Sequence, residues 1–583
     1  MERFVEINLK TPSHTYLFNF NYILIALMLA IVAGGGVSLY AQSVYVVIGH
    51  ESYDFLKRME AHQLLTDYKD AALPLSRMQV ATYLAALENK VDEMSRVERE
   101  TFEYLKTEFN YELLKIAGDP QPSETRWHVL SRELTGGIFN LDADVNYWRT
   151  YTDGKLTTNT TVGLKTYGYA YDNVGFYFNL DDNHEKGLNI SYSRFTDDQL
   201  DHFPGLSSTD KAYYKRVKTP SRGVILSVAG KNDDFQYDET NAQFSWQIGA
   251  FTLSLEKMNN IWGYGRNGSV IFSDHAPSYP QFKLRVPLSK DIEFVYFHGE
   301  LNSDVIDSSS SYYVTYPNQD YSKFREVDHS KYIAAHQLEI SLWKGVDFSI
   351  GESVVYSDRG PLLIYLIPVM FFKSGEHYNS DKDNCQLFGS IDLNLVKNVN
   401  AYFSLFIDEL NTDKLFDPNL SHRQIALTSG LRVFDIPATN CDMTIEYSRV
   451  NPATYNHSYP ATTFTNNGFI MGSWMGQNAD DLFLEIGLQP LHALRMTAFG
   501  EVFRKGGILP LVDQYSDNQG NWKFLFGPVH VERSFGITAK YQPLRDLFIN
   551  VRARVHKIED EADPSQNRLH QFEFTLGASL GIW

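Results

Sequence analysis

The chain has 583 residues, and its 52 lysines and arginines against 71 aspartates and glutamates give a net charge of −19. An acidic chain lacks the basic face that a nucleic-acid backbone requires, and two cysteines exclude a disulfide framework. The mean hydropathy of −0.30 excludes a bundle of transmembrane helices but fits a membrane β-barrel, whose strands alternate apolar and polar residues. With 14% aromatic residues, the composition is typical of a large bacterial outer-membrane β-protein.

The first 41 residues predict an export signal. Residues 22–33 form an unbroken apolar run, which is too short to span about 30 Å of hydrocarbon as a helix. Three glycines and then residues 37–41 (VSLYA) follow, and cleavage after Ala41 fits a secretory signal peptide, although residues 1–20 carry no net positive charge. An uncleaved anchor that continues through Leu39 is the alternative. No other stretch approaches 18 apolar residues, so any further membrane contact must be made by strands.

Residues 42–122 predict a small helical segment with about three amphipathic helices between residues 50 and 117. Ser76 with Gln79, and Ser95 with Glu98, form capping boxes. One apolar stripe then follows at helical spacing over residues 102–116, and Gly118 with two prolines ends it. Such a segment could bury only a small core alone, so we expect it to pack on something larger. An independent helical bundle that binds a partner is the alternative.

From about residue 130 the apolar residues recur at every second position and no longer at helical spacing. Leu141 to Tyr147 alternates apolar and acidic or amide residues, as a strand with two different faces does. The spacing D-x-D-x-N also occurs in calcium loops, but such loops require glycine where Tyr147 stands. Further strands are predicted at residues 161–180 (two strands, joined at 172–173), 223–229, 242–257, 333–341, 346–356, 386–395, 400–406, 443–447, 482–488, 493–503, 534–541 and 547–555.

Residues 123–583 are therefore predicted to form an all-β transmembrane β-barrel. The last strand alternates from Gln571 to Ile582, which matches the roughly 9–11 residues that cross a bilayer. Trp583 falls out of register with its apolar face. Long polar stretches, such as residues 303–330 and 451–467, alternate with short turns. About 25 residues for each strand and connection would give about 18 antiparallel strands.

Two catalytic patterns occur without the context that they need. Gly263 to Gly268 matches the dinucleotide pattern G-x-G-x-x-G, but a β-like stretch follows where a helix should begin. Gly577 to Gly581 matches the nucleophile elbow, yet only two residues remain for the other catalytic groups. No histidine or cysteine has metal-ligand spacing. We therefore predict no catalytic residue, metal or cofactor. Acidic pairs such as Asp408 with Glu409 leave glycoside hydrolysis open as an alternative.

The middle of the chain resembles the capsule assembly protein Wzi family. Residues 262–277 (WGYGRNGSVIFSDHAP) are similar to that family's W-G-x-G…S-x-x-A-P segment. Residues 335–338, 351–356, 365–369 and 383–384 resemble its following strands, and the helical opening around residues 75–77 and 108–109 is similar too. The glutamine after the Tyr-Ala cleavage site also resembles sequences from the Bacteroidetes branch of the family. The resemblance implies an outer-membrane barrel of 18 strands with periplasmic helices near the lumen. It also implies a lectin that holds capsular polysaccharide and assists capsule assembly.

The segment that carries the resemblance also supplies the residue types that bind sugars. Aromatic rings stack on the apolar faces of pyranoses, and acid, amide and guanidinium groups bond to hydroxyls. The predicted polysaccharide-binding residues are Trp262, Tyr264, Arg266, Asn267, Asp274 and His275. In the alternative interpretation, Trp262 and Tyr264 only anchor the interfacial girdle of a barrel. Glu352, Tyr356 and Arg359 are second-tier candidates, for which ion pairs on the lumen wall are the alternative.

The expected partners follow from this interpretation. We expect a monomer in the outer membrane of a Gram-negative cell that binds capsular or surface polysaccharide and outer-membrane lipid, and no nucleic acid. A porin-like channel for small solutes is the main alternative function. A barrel-borne enzyme that acts on lipid or glycan is a further one, for which the sequence suggests no substrate.

Overall fold

The computed structural model describes residues 44–118, 126–187, 225–228, 234–315, 322–410, 423–508, 523–562, 564 and 567–581. The predicted signal peptide and the terminal Trp583 lie outside these ranges. No helix within them is long and apolar enough to cross a membrane.

Within the described residues, four short helices precede the barrel. They are α1 (Glu51–Ala61), α2 (Arg77–Leu87), α3 (Arg96–Glu108) and α4 (Asn110–Ala117), with a 3₁₀ turn at Glu88–Glu93. The capping boxes predicted at Ser76 and Ser95 are both present. The apolar stripe does not lie on one helix, as predicted, because α3 ends before Phe109 and α4 begins directly after it. That prediction is wrong. Gly118 adopts the left-handed conformation that ends α4.

Eighteen long antiparallel strands close into one barrel, so the predicted fold and strand number are confirmed. The strands are β1 (Gly137–Thr152), β2 (Lys155–Ala170), β3 (Val174–Gly187), β4 (Asp234–Ile248), β5 (Phe251–Met258), β6 (Tyr279–Pro287), β7 (Ile292–Ile306), β8 (Asp328–Trp343), β9 (Val346–Ser357), β10 (Asn384–Val396), β11 (Val399–Leu410), β12 (Arg423–Val433), β13 (Cys441–Val450), β14 (Ala479–Leu491), β15 (Leu494–Lys505), β16 (His530–Leu544), β17 (Leu547–Asp560) and β18 (Arg568–Leu580). Consecutive strands pair, and β18 closes the barrel on β1, with Ala578 opposite Tyr147.

The sequence missed some boundaries. The single strand predicted over residues 242–257 is wrong, because a turn at residues 249–250 divides it between β4 and β5. Strands β6, β7 and β12 were not predicted. Short strands accompany the barrel: Leu130–Leu134 pairs with β1 and Ile225–Val228 with β4. A small hairpin joins Tyr312–Thr315 to Ser322–Arg325 between β7 and β8.

The two ends of the barrel have different connections. At one end the turns are short, for example residues 249–250, 344–345 and 492–493, and we call this the short-turn end. At the other, the long-loop end, connections reach the length of residues 358–383 and 451–478. Outer-membrane barrels have short turns on the periplasmic side and long loops on the cell surface.

Alternate side chains along each strand point outward and into the lumen. On β14, for example, the apolar Leu482, Leu484 and Ile486 are exposed outside, whereas Asp481 and Phe483, which alternate with them, are buried. The apolar faces predicted at both ends of the β-rich region also lie outside, and Val145 and Leu576 are exposed there. The outer wall therefore carries an apolar belt of the kind that contacts lipid.

Helices α1–α4 occupy the short-turn end of the lumen and contact turns all round its rim. The backbone amide of Asn398 donates to the carbonyl of Ala61 at 2.7 Å, and Lys115 pairs with Asp172 at 2.9 Å. Ser95 donates to Asn440 at 3.0 Å. These contacts with separate turns show that the helical segment packs against the barrel, as predicted, and does not stand alone as a bundle.

Two connections fold inward above the helices and fill the middle of the lumen. These are residues 259–278, between β5 and β6, and residues 451–478, between β13 and β14. Their apolar side chains form one buried core with inward residues of the wall, such as Phe297, Phe388 and Phe406. The Tyr455 hydroxyl donates to the carbonyl of Val270 at 2.6 Å and ties the two connections together.

Candidate functional site

The inward connection 259–278 carries six of the nine predicted site residues. Near its start, residues 261–262 and residues 72–73 of the helical segment form a small two-stranded sheet, in which Trp262 lies opposite Ala72. Further on, the backbone amide of Ser273 donates to the carbonyl of Met471 at 2.7 Å. The segment is thus held from below by the helices and from above by residues 451–478.

Trp262 is fully buried in the luminal core. Its ring makes edge contacts with Phe272, Phe297 and Phe388 at centroid distances of 5.3, 5.2 and 5.9 Å. It therefore lies inside the lumen and not in a girdle on the outer wall. In this position Trp262 supports the connection by packing.

The glycines of the segment allow its tight turns. Gly263 and Gly268 have φ angles of +78° and +116°, which L side chains rarely adopt. A Cβ atom on Gly268 would lie 2.8 Å from Cδ1 of Trp474, whose Nε1 donates to the carbonyl of Asn267 at 2.5 Å. The turn at Gly268 is therefore closed by the Trp474 ring.

Arg266 lies at the centre of an ion-pair network with the helical segment. Its guanidinium is 2.9 Å from Glu485 on β14 and 3.3 Å from Asp54 on α1. Arg495 and Arg432 approach the same Asp54 carboxylate at 2.9 and 3.6 Å. Burial alone would raise the pKa of Asp54, but the three arginines outweigh it and hold this pKa well below its ordinary value. One helical carboxylate thus links three arginines of the lumen.

A cavity of about 160 Å³ lies beside Tyr264 and Arg266, between the inward connection and α1. At about 30 Å³ for each water in the liquid, this space holds roughly five waters, a volume comparable to one sugar ring. The cavity is lined by aromatic rings, carboxylates, an amide and cations, including Tyr53, Asp70, Asn400, Tyr402 and Arg432. This is the mixture of side chains that binds pyranoses.

The other predicted residues of the segment divide between mid-height and the long-loop end. The side-chain amide of Asn267 donates to Asp481 of β14 at 2.9 Å and to Glu501 of β15 at 3.1 Å. Asp274 is exposed and His275 is half-buried, with its ring 5.9 Å from Phe469 of the other inward connection. Asp274 and His275 are thus the members of the set nearest the cell-surface side.

The second-tier candidates do not lie on the lumen wall. Glu352 and Tyr356 point outward from β9, because Val355 between them belongs to the luminal core. Both are buried beneath residues 358–383. Arg359 is the second residue of that connection and pairs with Asp383 at its end. Glu352 and Arg359 do form ion pairs, with His336 and Asp383, but the predicted place of these pairs on the lumen wall is wrong.

Lys57 and its partners were not found by sequence reasoning. The ammonium group donates to Glu60, Asp70 and Asp392 at 3.1, 3.0 and 3.1 Å, next to the cavity. These residues come from α1, from the chain after it and from β10, so no local spacing could reveal the cluster. Alternation alone would have placed Asp392 on the same luminal face as Phe388.

Two described groups have carboxylates close enough to hold a metal ion, Glu60 with Asp347 and Asp392, and His62 with Glu98 and Asp435. In each group a side-chain cation already pairs with two of the acids. Lys57 does so in the first group and Arg58 in the second. We interpret both as ion-pair clusters between the helices and the wall.

An apolar outer belt, a lumen filled by helices and inward loops, and connections of unequal length define this chain as an outer-membrane β-barrel. The profile of the capsule assembly protein Wzi family matches residues 149–489, more than half of the chain. The chain belongs to that family. No curated protein sequence matches the chain significantly.

The fold is similar to that of a solved structure. The chain is similar to Wzi of Escherichia coli, described as an outer-membrane protein involved in group 1 capsule assembly and a carbohydrate-binding β-barrel. The TM-score is 0.54 at 10% identity, over 92% of this chain and 99% of that one. OprD of Pseudomonas aeruginosa gives a TM-score of 0.38 at 13% identity, over 76% and 94% of the two chains.

Proposed function

We propose that this protein binds capsular or other surface polysaccharide at the outer membrane and assists capsule assembly. Family membership supports the role in capsule assembly, and the E. coli structure is that of a carbohydrate-binding barrel. Within this chain, the observation that carries the proposal is the cavity beside Tyr264 and Arg266. It brings aromatic rings and hydrogen-bonding groups of the helical segment and the barrel wall together beside the segment that carries the resemblance to the family.

In this proposal Tyr264, Arg266 and Asn267 contact a sugar residue in the lumen, and Asp274 and His275 contact the chain nearer the cell surface. Trp262 contributes by holding the segment in place. The protein acts by binding and not by catalysis, as a monomer surrounded by outer-membrane lipid. Residues 1–41 are removed as a signal peptide on export.

Glycan binding by the purified protein is the direct test. We expect oligosaccharide from the native capsule to bind, and Arg266→Gln and Asp274→Asn each to weaken binding. Arg533→Gln is a matched control, because Arg533 forms an exposed ion pair with Glu559 at 2.8 Å on the outer side of β16. If both site variants bind as well as the control, the segment is not part of the site.

Capsule retention by intact cells tests the wider role. Deletion of the gene should release polysaccharide into the medium, and a plasmid copy should restore it to the cell surface. Unchanged surface polysaccharide in the deletion strain would contradict the proposed function.

A further inference from the structure

Residues 358–383, which connect β9 to β10, pack on the outside of the barrel. They contain a further described helix, α5 (Phe372–Tyr378). Tyr365 and Phe372 of this connection form one buried cluster with outward side chains of β7, β8 and β9, including Tyr296 and Val354. We call residues 358–383 the outer strap.

The outer strap covers polar residues that would otherwise face the bilayer. His336 of β8 and Glu352 of β9 point outward and lie 3.2 Å apart, Nε2 to Oε1. Both are buried, and the backbone amide of Phe372 donates to Glu352 Oε1 at 2.8 Å. An ionisable pair that faces hydrocarbon costs free energy. The strap avoids this cost, because it covers the pair and bonds to Glu352.

The strap reaches down to the level of the apolar belt. Glu352 lies five residues from Ser357, the end of β9, so at about 3.3 Å per residue and a tilt of about 40° Phe372 sits about 12 Å below the rim. At this height Ile350 of β9 and Leu387 of β10 are exposed on the outer wall. The apolar band of such barrels is about 25 Å tall, which places Phe372 within its upper half.

Exposed apolar side chains in the first part of the strap continue this belt. Leu363 is 81% exposed, and Leu366 and Ile367 beside it are also exposed. The inner side is bonded to the wall: the Tyr296 hydroxyl donates to the carbonyl of Tyr365 at 2.9 Å, and the amide of Leu362 donates to the Tyr356 hydroxyl at 3.2 Å. Irregular backbone is tolerated at membrane depth where protein satisfies its polar groups.

We propose that the outer strap is immersed in the outer leaflet, where Leu363, Leu366 and Ile367 contact lipid acyl chains. The long-loop end faces the cell surface, so the upper half of the belt lies in that leaflet. The strap is then a surface loop that serves as part of the lipid-facing wall. This inference does not depend on sugar binding and would stand if the glycan experiments failed.

Fluorescence quenching at single cysteines tests the proposal. In a background with Cys385→Ser and Cys441→Ser, a bimane probe is attached at Leu363→Cys, with Ile367→Cys as a second strap position. Leu484→Cys on the bare wall is the lipid control, and Tyr313→Cys, where the tyrosine is 68% exposed in the surface hairpin, is the water control. Heat-modifiable migration on gels verifies that each variant is folded.

After reconstitution into phosphatidylcholine vesicles with spin-labelled acyl chains, both strap probes should be quenched as strongly as the probe at position 484. Aqueous iodide should quench them several-fold less than the probe at position 313. Strong iodide quenching with little quenching by lipid would overturn the proposal. If that result were joined to protection from an impermeant maleimide on intact cells, a protein partner would cover the strap instead of lipid.

Discussion

Removal of the Lys57 ammonium should loosen the helical segment from the barrel. This ammonium is the shared partner of Glu60, Asp70 and Asp392, and all four side chains are largely buried. Lys57→Met keeps the apolar stem and deletes the charge. Three carboxylates then remain together, of which Asp392 belongs to the barrel wall and the other two to the helical segment.

We expect Lys57→Met to lower the free energy of opening of α1 by several kcal/mol. Deleting one partner of a buried ion pair costs about 3–5 kcal/mol, because the remaining charge stays buried without compensation. Each 1.4 kcal/mol or so changes an equilibrium constant tenfold, so local opening of α1 should become at least about 100-fold more frequent. The barrel should persist, since its strands are paired all round.

The pH dependence of this loss has a defined sign. Burial raises the pKa of Asp70 from 3.8 to about 6, even though Lys57 opposes the shift. A carboxyl whose pKa is raised in the folded state adds stability below pH 4 and loses it as the pH rises through 6. Without the ammonium, the ionised carboxylates repel each other more strongly. The defect of Lys57→Met should therefore be larger at pH 8 than at pH 5.

Hydrogen exchange of peptides from α1, corrected for intrinsic rates, measures this opening in detergent. Arg96→Met is the control, because Arg96 forms a solvent-exposed ion pair with Glu100 on α3. Such surface pairs contribute only about 0–1 kcal/mol. Lys57→Met combined with Asp392→Asn should recover part of the protection. Equal exchange in Lys57→Met, the control and the unaltered protein would refute the reasoning.

Three further outcomes are expected. The unaltered protein should give no large steady currents in planar bilayers, because its lumen is filled; porin-like conductance would contradict the proposed plugged binding protein. Trp262→Ala should cost about 3–5 kcal/mol in the local stability of the inward connection, and Trp262→Phe clearly less, as hydrogen exchange of residues 261–278 would report. Gly268→Ala should cost about 1–3 kcal/mol in the same measurement through its contact with Trp474 and its positive φ; unchanged exchange would refute this.

The barrel could be predicted from the sequence because most strands have one lipid-facing and one polar luminal face. On β1, for instance, Val145 and Tyr147 point outward and Asp144 and Asn146 inward, and this alternation is visible in the residues themselves. The caps at Ser76 and Ser95 are equally local signals. The break at Phe109 was not visible, because α4 resumes one residue later and the apolar stripe continues across it.

The candidate site could be predicted only as a segment. Residue types in 262–277 indicated sugar binding, but burial of each side chain depends on parts of the chain that are distant in sequence. Trp262 is buried because Phe297 and Phe388 on two other strands approach it. Arg266 is held by Asp54 on the helical segment. Neither contact leaves a pattern along the chain.

Strand β7 shows why one part of the barrel escaped prediction. Its inward residues Val295 and Phe297 belong to the luminal core, and its outward residues Phe294 and Tyr296 lie in the outer cluster that the strap completes. Both faces are therefore apolar, and the period of two disappears, as in a strand of a fully buried sheet. Loss of alternation in a strand of this barrel thus marks the sector where protein covers both faces. In that sector the inward connections cover the luminal face of the wall, and the outer strap covers its outer face in place of lipid.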